Sequence, residues 1–355
     1  MKTIVLTGGG TAGHVTPNIA LIPKLKADGW DIKYIGSKKG IEKELIEKEN
    51  IPYYSISSGK LRRYFTLENV KDPFKVIYGF VEAHKTLLKL KPQVVFSKGG
   101  YVSVPVVLAA KMLNIPVIIH ESDITPGLAN KIASKGAKKI CVNFPETLKY
   151  VGSKGVLTGT PIREELFKGS KSKGQQICNF FDGKPIMLVM GGSLGSVKVN
   201  VALRDSLNEL LKTFNVVHIC GKGNVNVSYN MKGYKQFEYV GTELCDIFAA
   251  TDIMLSRAGA NALAEIVALN IPNVLIPLSR QASRGDQILN AASMENQGYS
   301  EVIQEEQLTT DILLKTINKV YVNRDFYKNT MRQNQSNNGT KNVMRVIQEV
   351  SNKKK

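Results

Sequence analysis

Residues 4–21 read IVLTGGGTAGHVTPNIAL, and residues 186–203 read IMLVMGGSLGSVKVNVAL. Aligned without a gap, the two stretches are identical at nine of eighteen positions. In each stretch an apolar run ends in glycines, and a helical pattern follows. A buried strand that leads through glycines into a helix N-terminus binds phosphate, because backbone N–H groups approach the anion and the helix dipole favours its charge. The repeat therefore predicts an α/β fold of two Rossmann-like, doubly wound parallel-sheet domains that face a cleft.

The rest of the chain repeats this alternation of short β-branched runs and helical stretches, which is typical of parallel sheets. The Gly- and Lys-rich stretch 155–174 is the expected linker. We expect an N-terminal domain over residues 1–162, a C-terminal domain over residues 163–340, and a terminal helix within residues 341–355 that packs back on the first domain. The predicted strands are Thr3–Thr7, Ile32–Ile35, Val94–Ser97, Val117–His120 and Lys139–Val142 in the first half, and Ile186–Met190, Val216–Cys220, Phe237–Val240, Ile253–Ser256 and Asn273–Ile276 in the second.

The chain of 355 residues is strongly basic, with a formal net charge of +18. Residues 1–160 hold 24 basic and 12 acidic residues, so the excess lies mainly in the first half. This charge favours an anionic partner, which would be nucleic acid, an anionic membrane face or the phosphates of a substrate, and a solvated Lys-rich surface is the alternative. Four cysteines without metal-ligand spacing predict reduced thiols. Polar residues interrupt the longest apolar stretch, 102–120, so we expect no membrane span.

The first glycine turn, residues 8–10, begins a G-x-G-x-x-G pattern of the kind found in dinucleotide-binding folds. Those folds also place a carboxylate at the end of the second strand, where it holds the ribose. Here the second strand leads instead into Lys38 and Lys39. NAD is therefore disfavoured, while NADP stays an alternative because the two lysines could meet a 2′-phosphate.

His14 stands where the first glycine turn enters its helix, and an imidazole in this place can act as a general base near neutral pH. The structural alternative is a helix-terminal histidine that bonds to backbone. His120, at the end of another predicted strand, is the second candidate base. A further turn, Lys98-Gly99-Gly100, offers backbone N–H groups and a cation to an anionic ligand at the same edge of the sheet.

In the second half, residues 191–193 form the phosphate loop of the repeat. Gly259 and Ala260 open a helix that can cap a phosphate. Glu265 lies about two turns further along, on a small and apolar face where a lone carboxylate needs a partner, and a ribose diol would satisfy it. The polar loop 280–287 suits sugar hydroxyls. The sequence contains no D-x-D or H-E-x-x-H motif, and neither a metal site nor a serine hydrolase is predicted.

Seven motifs occur in order between residues 3 and 300: GGGTAGHVTP, KGGYVSVP, HESDITPGLAN, GTPIREE, GGSLGSVKVN, SRAGANALAEI and SRGDQILNA. Together they resemble the MurG family of UDP-N-acetylglucosamine (UDP-GlcNAc) transferases, in glycosyltransferase family 28. The resemblance implies the GT-B fold and no cofactor. It also implies transfer of GlcNAc, with inversion, to undecaprenyl-diphospho-N-acetylmuramoyl-pentapeptide (lipid I), which gives lipid II for peptidoglycan. The protein would then be peripheral, at the cytoplasmic face of the bacterial membrane.

The resemblance also implies roles for single residues. Asp123 and Asp286 stand where relatives often carry Asn and Gln, which leaves the sugar contacts at these two positions open. On the first domain, the implied loop facing the donor sugar is Thr11, Ala12 and Gly13, the implied base is His14, and the implied acceptor-diphosphate site is Gly99 and Gly100, with Lys98 beside them. The implied contacts to UDP-GlcNAc are Arg163, Ser193, Glu265 and Gln287, with the backbone of Val240 at the uracil.

Three other functions stay open at this point. A transferase that acts on diacylglycerol would share the fold and the donor, but Lys98 argues against a neutral lipid acceptor. An NADP oxidoreductase would bind no UDP. A nucleic-acid-binding protein would explain the charge, but no aromatic platform or helix-turn-helix pattern accompanies it, so no nucleic-acid partner is expected.

A lipid-anchored acceptor requires that a protein without a span docks on the anionic inner leaflet. The predicted docking segment combines adjacent cations with apolar side chains, and it consists of Leu61, Arg62, Arg63, Tyr64 and Phe65. The second candidate is the helix that is predicted to begin at Asp72-Pro73. Its apolar residues share one face, which is more often core than membrane contact; they are Phe74, Ile77, Tyr78 and Val81.

Overall fold

The computed structural model describes residues 2–59, 68–192, 195–281, 283–333 and 338–352. The chain divides into two compact units. The first unit comprises Met1–Arg163 with Asn338–Lys355, and the second comprises Glu164–Asn337. The division therefore falls between Arg163 and Glu164, and each unit contains one parallel sheet.

The sheet of the first unit has seven parallel strands in the order β3-β2-β1-β4-β5-β6-β7. Its central strands are apolar at consecutive positions because helices cover both faces. Ile4 and Leu6 of the first strand enter one buried cluster, and Val5 enters the other. The strands are β1 (Lys2–Thr7), β2 (Trp30–Ser37), β3 (Tyr53–Ile56), β4 (Val94–Ser97), β5 (Val117–Glu121), β6 (Lys139–Val142) and β7 (Gly155–Leu157).

Helices connect these strands, and three short 3₁₀ turns, Ala12–His14, Pro145–Thr147 and Gly152–Lys154, interrupt the loops. The helices are α1 (Thr16–Ala27), α2 (Ile41–Glu47), α3 (Glu68–Leu90), α4 (Ser103–Met112), α5 (Leu128–Ser134) and α6 (Leu148–Val151). Asp72 and Pro73 thus lie inside α3, and the prediction that a helix begins there is wrong. None of the helices in the described ranges is at once long and apolar enough to span a membrane.

The sheet of the second unit has six parallel strands in the order β10-β9-β8-β11-β12-β13. The strands are β8 (Ile186–Met190), β9 (Asn215–Ile219), β10 (Tyr234–Phe237), β11 (Ile253–Ser256), β12 (Asn273–Leu275) and β13 (Ser300–Val302). Two 3₁₀ turns lie at Glu164–Lys168 and Glu305–Gln307. The helices are α7 (Lys171–Cys178), α8 (Val197–Asp205), α9 (Leu207–Thr213), α10 (Leu244–Ala250), α11 (Ala260–Leu269), α12 (Asp286–Asn296), α13 (Thr310–Val322) and α14 (Arg324–Arg332).

The chain returns to the first unit through α15 (Gly339–Asn352), whose apolar face joins the cluster under β1. Val343 and Ile347 are fully buried there beside Leu21 of α1. Thr340 exchanges two hydrogen bonds with the backbone of Ile162, at 3.2 and 3.1 Å. The terminal helix is therefore part of the core of the first unit.

Some elements differ from the sequence expectations. The stretch 155–174, in which the division between the units falls, also contains β7, the turn Glu164–Lys168 and the start of α7. Strand β10 lies three residues before its predicted position. Three strands were not predicted: β3, β7 and β13 are three or four residues long and carry polar residues or glycine, so they show no apolar run.

Candidate functional site

The glycine turns lie where ligands bind in doubly wound sheets. In both units the strand order reverses at one point, between β1 and β4 in the first sheet and between β8 and β11 in the second. Thr7 pairs with Ser97 at the ends of the first two strands, and Met190 pairs with Ser256 at the ends of the second two. The carboxyl ends of the strands at such a switch point form the ligand crevice of these folds.

In the first unit, the loop after β1 and the loop after β4 pack directly on each other. Gly100 has φ +80°, and a Cβ there would collide with the carbonyl oxygen of Gly9. Gly10 has φ +87°, and its Cβ would lie 2.5 Å from the ring of Tyr101. Only glycine satisfies both the backbone conformation and the close approach. The two predicted anion-binding turns therefore form one continuous backbone surface.

A buried carboxylate occupies the inside of the first turn. Glu42, in the first turn of α2, is fully buried. Its Oε2 accepts the N–H of Gly10 at 3.1 Å, and its Oε1 accepts the N–H of Ser37 at 3.1 Å and the Ser37 hydroxyl. Since this carboxylate takes the N–H of Gly10, we conclude that the first turn is not a pyrophosphate cradle of the dinucleotide type, which weakens the NADP alternative.

His14 ends the 3₁₀ turn that follows the first glycine turn, and it is half-buried. Its Nδ1 lies 3.0 Å from the hydroxyl oxygen of Thr11. Burial and, to a smaller extent, the charge of Lys98 lower the pKa of His14 to about 4, although the charge of Glu42 acts in the opposite direction. The imidazole is therefore neutral at pH 7, which is the form that a general base needs.

Lys98 is 1% exposed, and its ammonium donates to the Ser122 hydroxyl. Burial lowers the pKa of Lys98 to about 8, although the carboxylates of Glu121 and Asp123 raise it. Lys98 is thus a buried cation just behind the Gly99-Gly100 turn, where it was predicted to assist an acceptor diphosphate.

His120, the second candidate base, is fully buried, and its Nε2 lies 2.9 Å from the carbonyl oxygen of Gly159. Burial holds its pKa well below the usual value. Glu121 is committed to the following loop, since it accepts the N–H of Gly127 at 3.1 Å and the side-chain amide of Asn130 at 2.8 Å. Glu121 therefore holds the loop after β5 in place, and His120 holds the segment after β7, which leaves His14 as the accessible imidazole at this edge.

In the second unit, a cavity of about 450 Å³ opens beside the loop that follows β8. Gly195 has φ +77°, and a Cβ there would collide with the carbonyl oxygen of Cys220, so the loop requires glycine at this position. Ser196 caps α8 by accepting the N–H of Val199 at 3.4 Å. The residues that line the cavity include Gly191, Gly195, Ser196, Lys198, Arg257, Gln287 and Glu305.

A buried ion pair forms the wall of this cavity. Arg257, directly after β11, is 7% exposed and pairs with the carboxylate of Glu305, which is also 7% exposed. Arg257 donates further to the Ser196 hydroxyl at 2.6 Å and to the carbonyl oxygen of Ile276 at 3.1 Å. Lys198 reaches Glu305 Oε2 at 3.3 Å. Two cations with one carboxylate leave the wall positive, which suits a diphosphate.

No role was predicted from the sequence for Arg257, Glu305 or Lys198. Arg257 lies in the motif SRAGANALAEI and Lys198 in GGSLGSVKVN. Their position close to glycine turns at strand ends is the feature that could have identified them as ligand-binding residues. Glu305 carries no such signal, because it lies 48 residues from Arg257 in an unremarkable acidic pair.

The predicted donor residues lie at several places in the structure. Gln287 lines the cavity, and its Oε1 accepts the N–H of Leu278 at 3.0 Å. Gly259 caps α11 and Ala260 begins it, at the end of β11 as predicted. Glu265 is half-buried in the same helix, and Val240 is buried after β10. Of the described residues that line the cavity, none is Val240, Gly259, Ala260 or Glu265. Ser193 lies outside the described residues.

Arg163 is the last residue of the first unit. Its Nε is buried and has no hydrogen-bond partner among the residues that the structure describes. Thr11, which precedes the 3₁₀ turn, is exposed. Ala12 at the start of the turn and Gly13 within it are half-buried.

The predicted docking segment, Leu61 to Phe65, lies outside the described residues. The second candidate, the apolar face of α3, is exposed and not core. Its exposed fractions are 64% at Phe74, 60% at Ile77, 67% at Tyr78 and 42% at Val81. The opposite side of α3 is the packed one, since a Cβ at Gly79 would collide with the carbonyl oxygen of Ser57. Helical periodicity therefore predicted which residues share a face, but not which environment that face has.

Within the described residues there is no group of three or more His, Cys, Asp or Glu side chains that could hold a metal ion. Each unit carries a candidate site of its own: the first has a half-buried imidazole with two glycine turns, and the second has a positive cavity beside a glycine loop.

Comparison with known proteins gives consistent results. Residues 4–142 match the model of the glycosyltransferase family 28 N-terminal domain, and residues 186–347 match that of the C-terminal domain. The chain is 58% identical over 346 residues to the UDP-N-acetylglucosamine–N-acetylmuramyl-(pentapeptide) pyrophosphoryl-undecaprenol N-acetylglucosamine transferase of Clostridium perfringens, covering 97% of each chain. It is 59% identical over 352 residues to the protein of that name from Lachnoclostridium phytofermentans, covering 99% of each. A crystal structure of MurG from Acinetobacter baumannii, 27% identical, superposes with a TM-score of 0.76 over 98% of this chain and 100% of that one.

Proposed function

This chain belongs to glycosyltransferase family 28, and we propose that it transfers N-acetylglucosamine from UDP-GlcNAc to undecaprenyl-diphospho-N-acetylmuramoyl-pentapeptide. The product is the disaccharide-linked lipid that peptidoglycan synthesis consumes. The proposal is supported by relatives that bear the name of this reaction and align with nearly the whole chain. It is also supported by the positive cavity beside the glycine loop of the second unit, since a nucleoside diphosphate sugar presents a diphosphate.

The donor diphosphate binds at the loop after β8. Backbone N–H groups of this loop and the N-terminus of α8 face the anion, and Arg257 and Lys198 supply positive charge. In the transition state the bond between C1 of the sugar and the β-phosphate oxygen breaks, and negative charge accumulates on the departing UDP. Preorganised donors at this point stabilise that charge more than the charge of the ground state. Gln287, at the start of α12, contacts the sugar, and Glu265 holds the ribose hydroxyls.

His14 is the base that removes the proton of the acceptor hydroxyl. If Nδ1–H donates to the hydroxyl oxygen of Thr11, Nε2 carries a free lone pair and can accept that proton. The acceptor 4-hydroxyl oxygen then bonds to C1 from the side opposite UDP, which inverts the configuration. The pKa of about 4 leaves the imidazole unprotonated at neutral pH before the reaction.

The acceptor diphosphate binds at the backbone surface that Gly99 and Gly100 form with the first turn. Both glycines have positive φ, at +93° and +80°; the N–H of Gly99 donates to the Ser97 hydroxyl at 3.3 Å, and the N–H of Gly100 turns toward the anion. Lys98 lies buried behind this surface and adds a positive charge. The anionic acceptor also favours this reaction over transfer to a neutral diacylglycerol.

The exposed face of α3 docks on the anionic leaflet that carries the acceptor. Four large apolar side chains on one face of a helix form a contiguous apolar patch, which soluble proteins expose mainly at interaction sites. The predicted segment Leu61 to Phe65 immediately precedes this helix and would add cations worth about 1 kcal/mol each near an anionic surface. Together they place the first unit, with the acceptor site, at the membrane.

Vesicle sedimentation tests the docking. Phe74→Ser with Ile77→Ser should release the protein from phosphatidylglycerol vesicles, while Arg62→Glu with Arg63→Glu should weaken binding and reduce its dependence on salt. Both variants should retain activity on a short-chain, soluble acceptor. Wild-type sedimentation of both variants would contradict this account of docking.

The decisive test of the function is transfer itself. The purified protein is incubated with UDP-GlcNAc and a short-chain lipid I analogue, and the product is identified by mass spectrometry and by the anomeric configuration of the new bond. A β-linked disaccharide product supports the proposal. Failure to transfer, combined with binding of NADPH and no binding of UDP, would favour the oxidoreductase alternative.

A further inference from the structure

The two copies of the glycine turn differ in what lies next to their backbone N–H groups. In the second unit the turn borders an open cavity with Arg257 in its wall. In the first unit the side chain of Glu42, which stands 32 residues after Gly10, reaches into the turn and accepts its N–H. The first turn thus has an anion already, and this anion is part of the chain.

The surrounding glycines are shaped to this carboxylate. A Cβ at Gly9 would lie 2.5 Å from the carboxyl carbon of Glu42, and a Cβ at Gly40 would collide with the same group. Ser37, at the end of β2, supplies two further hydrogen bonds. Among the described residues Glu42 has no ion-pair partner, so neutral donors alone satisfy a fully buried carboxylate. Such an arrangement is costly unless it is well hydrogen-bonded, which suggests that the charge serves a purpose.

We propose that Glu42 is a positioning residue that takes the place of a phosphate in the first glycine turn and holds the adjoining segment Thr11–His14 in place for proton transfer. The proposal rests on the proposed function, in which His14 is the base. Gly10 connects the two directly, because its N–H bonds to Glu42 and the next residue, Thr11, orients the imidazole.

The charge of Glu42 also acts on the base. The charged groups that face His14 are Lys98, which lowers its pKa, and Glu42, which raises it. Burial and then Glu42 raise the pKa of the nearby Tyr53 hydroxyl well above its usual value, so this tyrosine stays neutral. Glu42 therefore offsets part of the effect of burial and of Lys98, and it makes His14 a stronger base than it would otherwise be.

The test compares Glu42→Gln with Glu44→Gln, an exposed carboxylate on the same helix that pairs with Lys48. Glu42→Gln should lower kcat by about 10-fold to 100-fold, part of the effect of a general base, and leave the affinity for UDP unchanged, because the nucleotide binds on the second unit. Glu44→Gln should match the wild type. Titration of His14 by NMR should show a lower pKa in Glu42→Gln, a higher one in Lys98→Met, and a partial return in the double variant.

If Glu42→Gln does not fold, Gly9→Ala provides the second test, because its methyl group displaces the same carboxylate without removing it. It should lower kcat while UDP affinity, measured by calorimetry, stays at the wild-type value. Wild-type kcat and His14 titration in a folded Glu42→Gln, or wild-type kcat in Gly9→Ala, would overturn the proposal. A wild-type protein that transfers no sugar would instead refute the proposed function, and the NMR titration would still decide whether Glu42 acts on His14.

Discussion

The ion pair beside the donor cavity predicts an unusual phenotype, in which one substitution destabilises the protein and strengthens nucleotide binding. The substitution is Glu305→Gln. It removes the negative charge that Arg257 and Lys198 share but keeps a carbonyl oxygen of similar position. The guanidinium of Arg257 stays buried, with the Ser196 hydroxyl and the Ile276 carbonyl oxygen as its remaining partners.

The magnitude follows from the burial of the pair. Breaking a buried ion pair by removing one partner costs about 3–5 kcal/mol. The retained carbonyl oxygen and the 62% exposure of the Lys198 side chain reduce the loss, so we expect about 2–3 kcal/mol. For a unit of this size that corresponds to a fall in Tm of roughly 5–10 °C.

Binding of UDP should offset part of the loss of stability in Glu305→Gln. The diphosphate brings negative charge to the cavity wall, and in the variant no carboxylate competes for Arg257. We expect UDP to bind about tenfold more tightly to Glu305→Gln, which corresponds to about 1.4 kcal/mol. Saturating UDP should therefore raise the Tm of the variant more than that of the wild type.

The difference in stability between the wild type and Glu305→Gln should decrease as the pH falls. Burial alone would raise the pKa of Glu305, but the hydrogen bonds and charges of Arg257 and Lys198 together outweigh it and hold this pKa below its usual value. A depressed carboxyl pKa contributes stability above the unfolded value of about 4.3 and loses it as the pH falls through the folded value. The Tm gap between wild type and variant should thus be full near pH 7 and shrink below about pH 4.

Differential scanning fluorimetry with and without UDP measures both effects, and calorimetry gives the affinity. Glu306→Gln is the matched control, since Glu306 is the exposed neighbour of Glu305. It should leave the Tm and the affinity unchanged. A Glu305→Gln variant with wild-type Tm, or with weaker UDP binding, would refute the assignment of this ion pair to the diphosphate site.

Three further predictions concern the reaction. His14→Ala should lower kcat by about 10²–10⁴ and leave UDP-GlcNAc affinity by calorimetry unchanged, whereas a loss of donor binding alone would make His14 a binding residue. Glu265→Ala should raise the KM for UDP-GlcNAc by about one to two orders of magnitude, because a charged hydrogen-bond partner contributes about 1.5–3 kcal/mol, and an unchanged KM would remove Glu265 from the ribose site. Because the sequence has no D-x-D motif, turnover in excess EDTA should stay near its value with Mg²⁺, and a complete loss that Mg²⁺ reverses would contradict leaving-group stabilisation by the protein alone.

Local patterns in the sequence predicted the parts of the structure that depend on neighbouring residues. The repeat identified the two strands that end in glycine turns, β1 and β8, and the alternation predicted two parallel sheets. The position of α11 at Gly259 followed from a strand that leads into a small-residue helix start. Contacts between distant residues were not predictable in this way. Glu42 and Glu305 stand 32 and 48 residues from their partners, and no periodicity marks them.

The exposed face of α3 shows a different limit. Periodicity predicted that Phe74 and Ile77 share one side of a helix, and a shared apolar side usually faces a core. Here the opposite side, with Gly79, makes the contact with the sheet through Ser57. Which side of an amphipathic helix is covered depends on the shape of its partner, and that information lies in other segments.

The two glycine turns show why a phosphate-binding pattern does not by itself identify a phosphate site. The nine identities between the repeats keep the glycines that allow the close backbone approach, so both loops present N–H groups at a switch point. Which anion binds the loop depends on another segment of the chain. It depends on whether a later helix carries an acidic side chain into the loop. In the first unit α2 supplies Glu42, and the loop becomes a fixed support for His14. In the second unit the corresponding space stays open, and the surplus positive charge of Arg257 and Lys198 over Glu305 can attract a diphosphate. One repeated backbone device can therefore position a base in one unit and bind the leaving group in the other.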